Sequence, residues 1–299
     1  MLHNSTEPKL KVVRHTSGIG ATINGVDLTN PTSTATFTAL NNAFKRYRLL
    51  VFKKQKLSVK QQITFSQLFG NLETFPTPED RAEGHENVLR VTNIERDSDR
   101  IKPIDDPVHR SFTIGTSTWH IDSSFRRIPS AASILYAIEI PDEGGDTMFA
   151  DTSLAYADMT KERKKELEKL VVLHDFEETR RRNNLPSRTT KVKAITPPSR
   201  HPLIVNHLDD RCAIYIGAHA AGIDGMTYKQ ARLFLNNLEE IATQPQYTYR
   251  HKWAPGDLIM YDNICVLHKA MSYNISDSRR LLHRTTIAGI TPPIGINNN

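Results

Sequence analysis

Two short stretches that lie far apart in the chain constrain its fold more than any other feature: Trp119-His120-Ile121-Asp122 and the later residue His268. Side chains alternate between the two faces of a β-strand, so in a strand His120 and Asp122 project together while Ile121 points into the protein. An imidazole and a carboxylate on one face offer two adjacent ligands to a metal ion. With His268 as the candidate third ligand, the fold must bring the two stretches together.

A His-x-Asp pair also occurs by chance, and the simpler interpretation is a hydrogen-bonded pair on a surface loop. Two histidines and one carboxylate, however, form the facial triad that is typical of non-haem Fe(II) sites with open coordination positions. Both interpretations stay open on these residues alone.

The composition limits the class of protein. A chain of 299 residues with 38% hydrophobic content can bury a sizeable core, as one large domain or two small ones. Its sequence contains no apolar run of the roughly 18 residues that a membrane span needs, and residues 1–9 lack the apolar region of a secretory signal. Two cysteines, Cys212 and Cys265, make no disulfide framework. We therefore expect a cytoplasmic protein with no membrane partner.

The formal net charge of +6 does not indicate nucleic-acid binding. Basic residues alternate with acidic ones in segments such as 161–166, which is typical of a solvated helix face. Only Arg180-Arg181-Arg182 begins a concentrated basic segment, which we interpret as a mobile surface loop or, alternatively, as a surface that steers an anionic substrate. Because no nucleic-acid-binding motif accompanies it, we predict no nucleic-acid partner.

Hydrophobic periodicity and turn residues predict many short strands and a few helices. Residues 71–118 and 179–202 are the exceptions: we expect irregular substrate-binding loops in the first and a mobile insertion in the second. The predicted helices are 35–47, 58–68, 153–170 and 227–242. The principal predicted strands are 49–52, 87–93, 132–140, 203–205, 213–216, 247–250, 257–261 and 280–287.

This pattern favours an α+β fold in which a jelly-roll or barrel core carries flanking helices. A closed core of two sheets can bring distant strands together, as the metal-site hypothesis requires. We expect one domain over residues 10–290, with flexible termini at 1–9 and 291–299.

The segment Arg280–Arg284 is the second informative feature. In a strand, Arg280 and Arg284 share one face and lie about 13 Å apart. Two buried guanidinium groups are costly unless anions pair with them, and arginine is well suited to bidentate capture of a carboxylate. A small dicarboxylate held by one arginine, with its other end on a metal, would meet this requirement. The alternative is an edge strand whose arginines face water.

Taken together, these residues resemble the TauD/TfdA family of Fe(II)- and 2-oxoglutarate-dependent dioxygenases. The segments 215–219 and 249–253 are similar to the 2,4-dichlorophenoxyacetate dioxygenase branch in particular. Five motifs carry the resemblance in order: Trp119-His120-x-Asp122, Gly144-Gly145-Asp146-Thr147, Gly256-Asp257-Leu258-x-Met260-x-Asp262-Asn263, His268 and Arg280-x-x-x-Arg284.

The resemblance implies a double-stranded β-helix core and a role for each matching residue. His120, Asp122 and His268 would bind iron, and Thr147 and Arg280 would hold the distal carboxylate of 2-oxoglutarate. Arg284 would lie near the metal-proximal carboxylate or reach the primary substrate. The implied reaction hydroxylates a C–H bond of a small anionic substrate (a carboxylate, an amino acid or a sulfonate) with O2, releasing succinate and CO2.

Departures from the family pattern bear on the substrate. Phe75 stands where the taurine branch carries a sulfonate-binding histidine, which argues against taurine itself. We take Phe75, Thr116 and Arg284 as candidate substrate-binding residues. The spacing from His268 to the two arginines is one residue longer than in the taurine branch. Arg279 is therefore an alternative to Arg280 as the arginine that faces the site.

Several alternatives remain open at this level. His109 and His219 are expected to be structural, although either could face the site. The same three ligands could bind zinc in a hydrolase, or the chain could be an inactive jelly-roll binding module. A homo-oligomer is compatible with the sequence.

Overall fold

The computed structural model describes residues 10–16, 18–207 and 211–296. The predicted flexible segment 1–9 lies outside these ranges. No helix within them is both long and apolar enough to cross a membrane.

Eight α-helices occur in the described part of the chain, together with short 3-10 turns at Pro78–Asp80 and Pro245–Tyr247. Capping side chains define where the longer helices begin: Ser58 and Gln61 form a capping box at α2, and Thr227 and Gln230 form one at α8. The helices are α1 (Thr34–Tyr47), α2 (Val59–Gln67), α3 (Pro107–Thr116), α4 (Thr152–Ala157), α5 (Lys161–Leu167), α6 (Phe176–Arg182), α7 (Thr190–Ile195) and α8 (Tyr228–Ala242).

The strands of the described residues are short, and each of the eight principal predicted strands corresponds to one of them within two residues. They are β1 (Lys11–Arg14), β2 (Ala21–Asn24), β3 (Leu49–Phe52), β4 (Arg81–Ala82), β5 (His85–Thr92), β6 (Ala132–Glu139), β7 (Thr147–Asp151), β8 (Val171–His174), β9 (Ser199–Pro202), β10 (Ile204–Asn206), β11 (Cys212–Ile214), β12 (Ala220–Ile223), β13 (Thr248–His251), β14 (Leu258–Asp262), β15 (Val266–Ala270), β16 (Leu281–Ile287) and β17 (Ile294–Gly295).

These strands form one large mixed sheet and three small sheets. The large sheet has the order β1-β2-β3-β14-β6-β16-β5-β4, and the small sheets are β11-β10-β17, β12-β8-β9 and β13-β7-β15. In the large sheet, β2 and β3 run parallel while the central strands β14, β6 and β16 are antiparallel. Mixed sheets with flanking helices confirm the predicted α+β class.

The large sheet is buried on both faces, as the alternation along β6 shows. Leu135 and Ala137 belong to a core that also contains Phe149 of β7 and Leu267 of β15. Their neighbours Ile134 and Tyr136 belong to a second core, which is formed with α1 and α2. The sheet is therefore packed between two helices on one side and the β13-β7-β15 sheet on the other.

A backbone bridge joins the two stretches that the sequence singled out. The amide of His120 donates to the carbonyl of His268 at 3.0 Å, and the amide of His268 donates back at 2.9 Å. The prediction that His120 and Asp122 share a regular strand is wrong. Only His120 makes the bridge, and Asp122 begins a turn in which Ser123 has φ +62°. Ile121 is nevertheless fully buried, as expected.

Three segments differ from the prediction. Residues 71–118 contain β4 and α3 in addition to β5, which confirms the predicted strand 87–93. The signal for α3 was present: Pro107 occupies its first turn and the Asp106 side chain accepts from the amide of His109. The single helix predicted over 153–170 is two helices, because the Thr160 side chain caps a new one at Lys161. The predicted insertion 179–202 contains α7 and β9. The carboxylate of Glu177, just before this segment, accepts hydrogen bonds from the side chains of Ser187 and Arg188 within it.

The C-terminal segment also differs from the flexible tail predicted for 291–299. Gly295 and Ile294 of β17 pair with Val205 and Asn206 of β10, because β10 offers an open edge there. Residues 297–299 lie outside the described residues.

Candidate active site

A cavity of about 220 Å³ lies between the large sheet and the β13-β7-β15 sheet. It is lined by five of the residues predicted from the sequence: His120, His268, Thr147, Arg280 and Arg284. Thr116 of α3, another predicted residue, lies on its wall. The remaining lining is largely apolar and includes Val91, Leu135, Met271, Ile275 and Leu282.

The three predicted metal ligands come together beside this cavity. His120, Asp122 and His268 are all buried, and one potential ligand atom from each lies within 4.8 Å of the others. His268 Nε2 is 4.0 Å from Asp122 Oδ2. The backbone bridge sets the separation of the two imidazoles, whose ring centroids are 4.0 Å apart.

Hydrogen bonds orient both ends of the His120–Asp122 pair. His120 Nδ1 lies 2.8 Å from the carbonyl of Thr118, which can only accept, so this nitrogen carries the proton and Nε2 keeps its lone pair. Asp122 Oδ2 accepts from Ser133 Oγ at 2.8 Å, and its Oδ1 accepts from Arg284 Nη1 at 2.7 Å.

The protonation states favour metal binding. Burial lowers the pKa of His120. Burial and the neighbouring His120 lower the pKa of His268 well below its usual value. Burial by itself would raise the pKa of Asp122, but the Arg284 guanidinium, aided by the hydrogen bond from Ser133, outweighs it and holds that pKa well below its usual range. Two neutral imidazoles and an ionised carboxylate are the forms that coordinate a cation.

Arg280 is a buried cation at the wall of the cavity. Its side chain donates from Nε and Nη2 to the carbonyl of Gly145 at 3.3 and 3.2 Å. Within the described ranges it forms no ion pair with a carboxylate, and burial lowers its pKa to about 10. Gly145 has φ +67° and no Cβ, which lets the guanidinium approach closely. A buried guanidinium without a counterion is the arrangement that an incoming carboxylate would stabilise.

Thr147 lines the cavity at the start of β7. Its Oγ1 accepts a hydrogen bond from Trp253 Nε1 at 2.9 Å. Because the indole uses a lone pair of this oxygen, the hydroxyl proton remains available for an acceptor in the cavity.

Arg284 and Phe75 lie together at the triad. The Arg284 guanidinium is 5.7 Å from the centre of the Phe75 ring, and its Nη1 is bonded to Asp122. Its side chain is 20% exposed, and its Nε is buried without a hydrogen-bond partner among the described residues. Arg284 therefore borders the cavity as a partly accessible cation, while Phe75 contacts it from outside the cavity lining.

The structure shows which of the residues with more than one possible assignment reach the cavity. Arg279 points away from the cavity and binds Glu139 and Asp99 at the surface, so Arg280 is the arginine that reaches the site. His109 of α3 lines the cavity. His219 packs edge-on against the stacked rings of Phe125 and Phe176 and does not line the cavity.

Sequence reasoning missed two polar residues that contact Asp122. Ser133 of β6 and Tyr261 of β14 are cross-strand partners, and both hydroxyls lie within hydrogen-bonding distance of Asp122 Oδ2. Tyr261 falls within the Gly256–Asn263 motif, but a single sequence does not show which strand will pair beside it. Their role depends on register between strands distant in the chain.

The donor set fits Fe(II) and 2-oxoglutarate. Two imidazoles and one carboxylate suit a facial iron site that leaves positions for other ligands, and the buried Arg280 with the Thr147 hydroxyl suits a distant carboxylate in the same cavity.

Comparison with known proteins agrees with this geometry. Residues 11–286 match the family model described as taurine catabolism dioxygenase TauD, TfdA family. The chain belongs to the TauD/TfdA family. It is accordingly a non-haem iron, 2-oxoglutarate-dependent dioxygenase, and its cofactors are Fe(II) and 2-oxoglutarate.

Individual members of the TauD/TfdA family resemble the chain over most of its length. The alpha-ketoglutarate-dependent 2,4-dichlorophenoxyacetate dioxygenase of Burkholderia sp. (strain RASC) is 35% identical over 83% of this chain and 84% of the relative. The (S)-phenoxypropionate/alpha-ketoglutarate-dioxygenase of Sphingobium herbicidovorans is 28% identical over 90% and 92%. The crystal structure of AAD-2 in complex with Mn(II) and N-oxalylglycine is 31% identical, with a TM-score of 0.86 over 95% of this chain and 98% of that one.

The first prediction concerns Gly217, which packs against the metal-site backbone with φ +126°. A Cβ there would lie 3.1 Å from His120 Cα and 3.2 Å from the Trp119 carbonyl. We expect Gly217→Ala to lower the free energy of unfolding by about 1–3 kcal/mol, because it adds a strained φ and a backbone clash. Urea unfolding measures the change.

The matched control is Gly222→Ala, since a Cβ at Gly222 meets no atom within 4 Å. If the two variants unfold at the same urea concentration, close packing at Gly217 does not support the site.

Proposed function

We propose that His120, Asp122 and His268 bind Fe(II), and that the enzyme uses 2-oxoglutarate and O2 to hydroxylate a small organic anion. The observation that carries this proposal is the convergence of the three buried ligand atoms, within 4.8 Å of one another, on a cavity that also holds the buried Arg280. When bound, the iron and its co-substrate supply the oxidising chemistry that amino-acid side chains lack.

The proposed 2-oxoglutarate site uses Arg280 and Thr147. The Arg280 guanidinium donates to the carbonyl of Gly145 and pairs with no carboxylate among the described residues, so a bound carboxylate would provide a counterion. The Thr147 hydroxyl would donate to the same carboxylate, with Trp253 fixing its rotamer from behind. Both residues act by binding and orienting the co-substrate, and the apolar lining reduces its contact with water.

We infer that the primary substrate binds near Arg284, with Thr116 and Phe75 as neighbours. Arg284 supplies positive charge beside the metal site, and the Phe75 ring packs on its guanidinium. Largely apolar walls suit a carbon skeleton next to that charge. The proposed class is a carboxylate, an amino acid or a sulfonate, and the two aryloxyalkanoate-named relatives support a carboxylate.

We propose that the large sheet and the β13-β7-β15 sheet form a double-stranded β-helix, or jelly roll. One hydrophobic core that contains Leu135, Phe149 and Leu267 lies between them, which supports this assignment. We also propose residues 10–290 as the catalytic domain and the cytoplasm as its location. The homo-oligomer stays a prediction.

The experiment that tests the proposed function is anaerobic addition of Fe(II) and then 2-oxoglutarate to the folded protein. A visible metal-to-ligand charge-transfer band is expected if the triad and the keto-acid site are both formed. Shifts of the band on addition of aryloxyacetates, amino acids and sulfonates then rank the substrate classes. A folded protein that gives no band would refute the assignment.

Substitution of a proposed ligand gives an independent prediction. We expect His268→Ala to abolish both the band and turnover while the circular dichroism spectrum stays unchanged, because β15 keeps its backbone pairing with β7. His85→Ala, at the start of β5 and outside the cavity lining, is the control and should retain both. Normal turnover by His268→Ala would show that His268 is not a ligand.

The two neighbouring arginines provide a paired test of the co-substrate site. Arg280→Ala is expected to weaken 2-oxoglutarate binding by roughly 10- to 150-fold, the equivalent of about 1.5–3 kcal/mol for a charge-assisted hydrogen bond. Arg279→Ala should leave the affinity unchanged, because its guanidinium is engaged by Glu139 and Asp99. Titration of the anaerobic charge-transfer band measures both affinities. The opposite result would transfer the role to Arg279.

A further inference from the structure

Tyr261 is a fully buried phenol between two of the proposed metal ligands. Its hydroxyl lies 3.1 Å from Asp122 Oδ2 and 3.2 Å from His268 Nε2. Its ring packs against the His268 imidazole with centroids 4.6 Å apart, and the side chain lines the cavity. Position and packing thus place a single hydroxyl against both ligand side chains.

The other hydrogen-bond partners of Ser133 and Tyr261 determine whether their hydroxyl groups donate to Asp122. Asn263 Nδ2 donates to Ser133 Oγ at 3.0 Å, so the Ser133 proton is directed to Asp122 Oδ2. A phenol carries its proton at neutral pH, and the Tyr261 hydroxyl lies 3.1 Å from Asp122 Oδ2, where it can donate. An ionised carboxylate only accepts, so Tyr261 is the second donor to Oδ2, beside Ser133, while Arg284 donates to Oδ1.

Strand register builds this pair of donors. Tyr261 of β14 is the direct cross-strand partner of Ser133 of β6, and both side chains reach the same carboxylate oxygen. Asp122 itself lies in a turn without strand pairing of its own. Side-chain hydrogen bonds from the large sheet consequently hold its carboxylate in place.

We propose that Tyr261 is a positioning residue of the metal centre: its hydroxyl fixes the Asp122 carboxylate and lowers the electron donation of that ligand, while its ring orients His268. This inference rests on the proposed function, since it assumes that Asp122 and His268 bind iron. Hydrogen-bonded neighbours of metal ligands commonly change metal affinity by about 10- to 100-fold when they are replaced.

The test compares Tyr261→Phe with Tyr215→Phe. Tyr215 is also fully buried, but its hydroxyl has no hydrogen-bond partner among the described residues and does not contact the ligands. Removing the Tyr261 hydroxyl should weaken Mn(II) binding by about tenfold. It should also move the anaerobic Fe(II)–2-oxoglutarate band to longer wavelength, because a carboxylate that accepts fewer hydrogen bonds donates more charge to the metal. Tyr215→Phe should change neither quantity.

The band position decides the outcome. A wild-type protein without the band refutes the proposed function itself. A wild-type band that Tyr261→Phe leaves unmoved overturns only the role of Tyr261.

If Tyr261→Phe does not fold, 3-fluorotyrosine introduced at position 261 keeps both the shape and the hydroxyl of the residue. Because this phenol is a stronger hydrogen-bond donor, the band should then move to shorter wavelength. An unmoved band in this second variant likewise overturns the role of Tyr261.

Discussion

The reciprocal backbone bridge between His120 and His268 is the constraint on which the active site depends. Two backbone hydrogen bonds of 3.0 and 2.9 Å connect the loop before β6 to β15. This bridge determines the distance between the imidazole rings of His120 and His268. Gly217 permits the close approach, since its missing side chain leaves room for the backbone of His120. Side-chain hydrogen bonds then fix the position of Asp122, the third proposed ligand.

The buried charges of the site favour the binding of ligands. Arg284 keeps Asp122 ionised, although burial opposes it. Arg280 contacts a carbonyl but pairs with no carboxylate in the described part of the chain. A cation at the triad and a dicarboxylate reaching Arg280 would complement both groups. The cost of burying these charges is thus offset when the cofactors bind.

Much of the site could be predicted from the sequence because the chemistry is carried by particular residue types. The triad, Thr147 and the Arg280–Arg284 spacing were all named from the sequence, and the predicted strands 49–52 and 257–261 agree with β3 and β14 within one residue. Prediction failed where local signals competed. Residues 71–118 were predicted to be irregular loops around one strand, although Asp106 and Pro107 begin a helix there, and Thr160 divided one predicted helix into two.

The sequence by itself determined the residues proposed to bind the metal and the co-substrate carboxylate, the α+β class and the family. Only the tertiary structure decided that Arg280 rather than Arg279 enters the cavity, that His109 lines it while His219 does not, and that Ser133 and Tyr261 hold Asp122. The reason is physical. Residue type and spacing are local properties, whereas the direction of a side chain near a strand end and its cross-strand neighbours depend on register between segments distant in the chain.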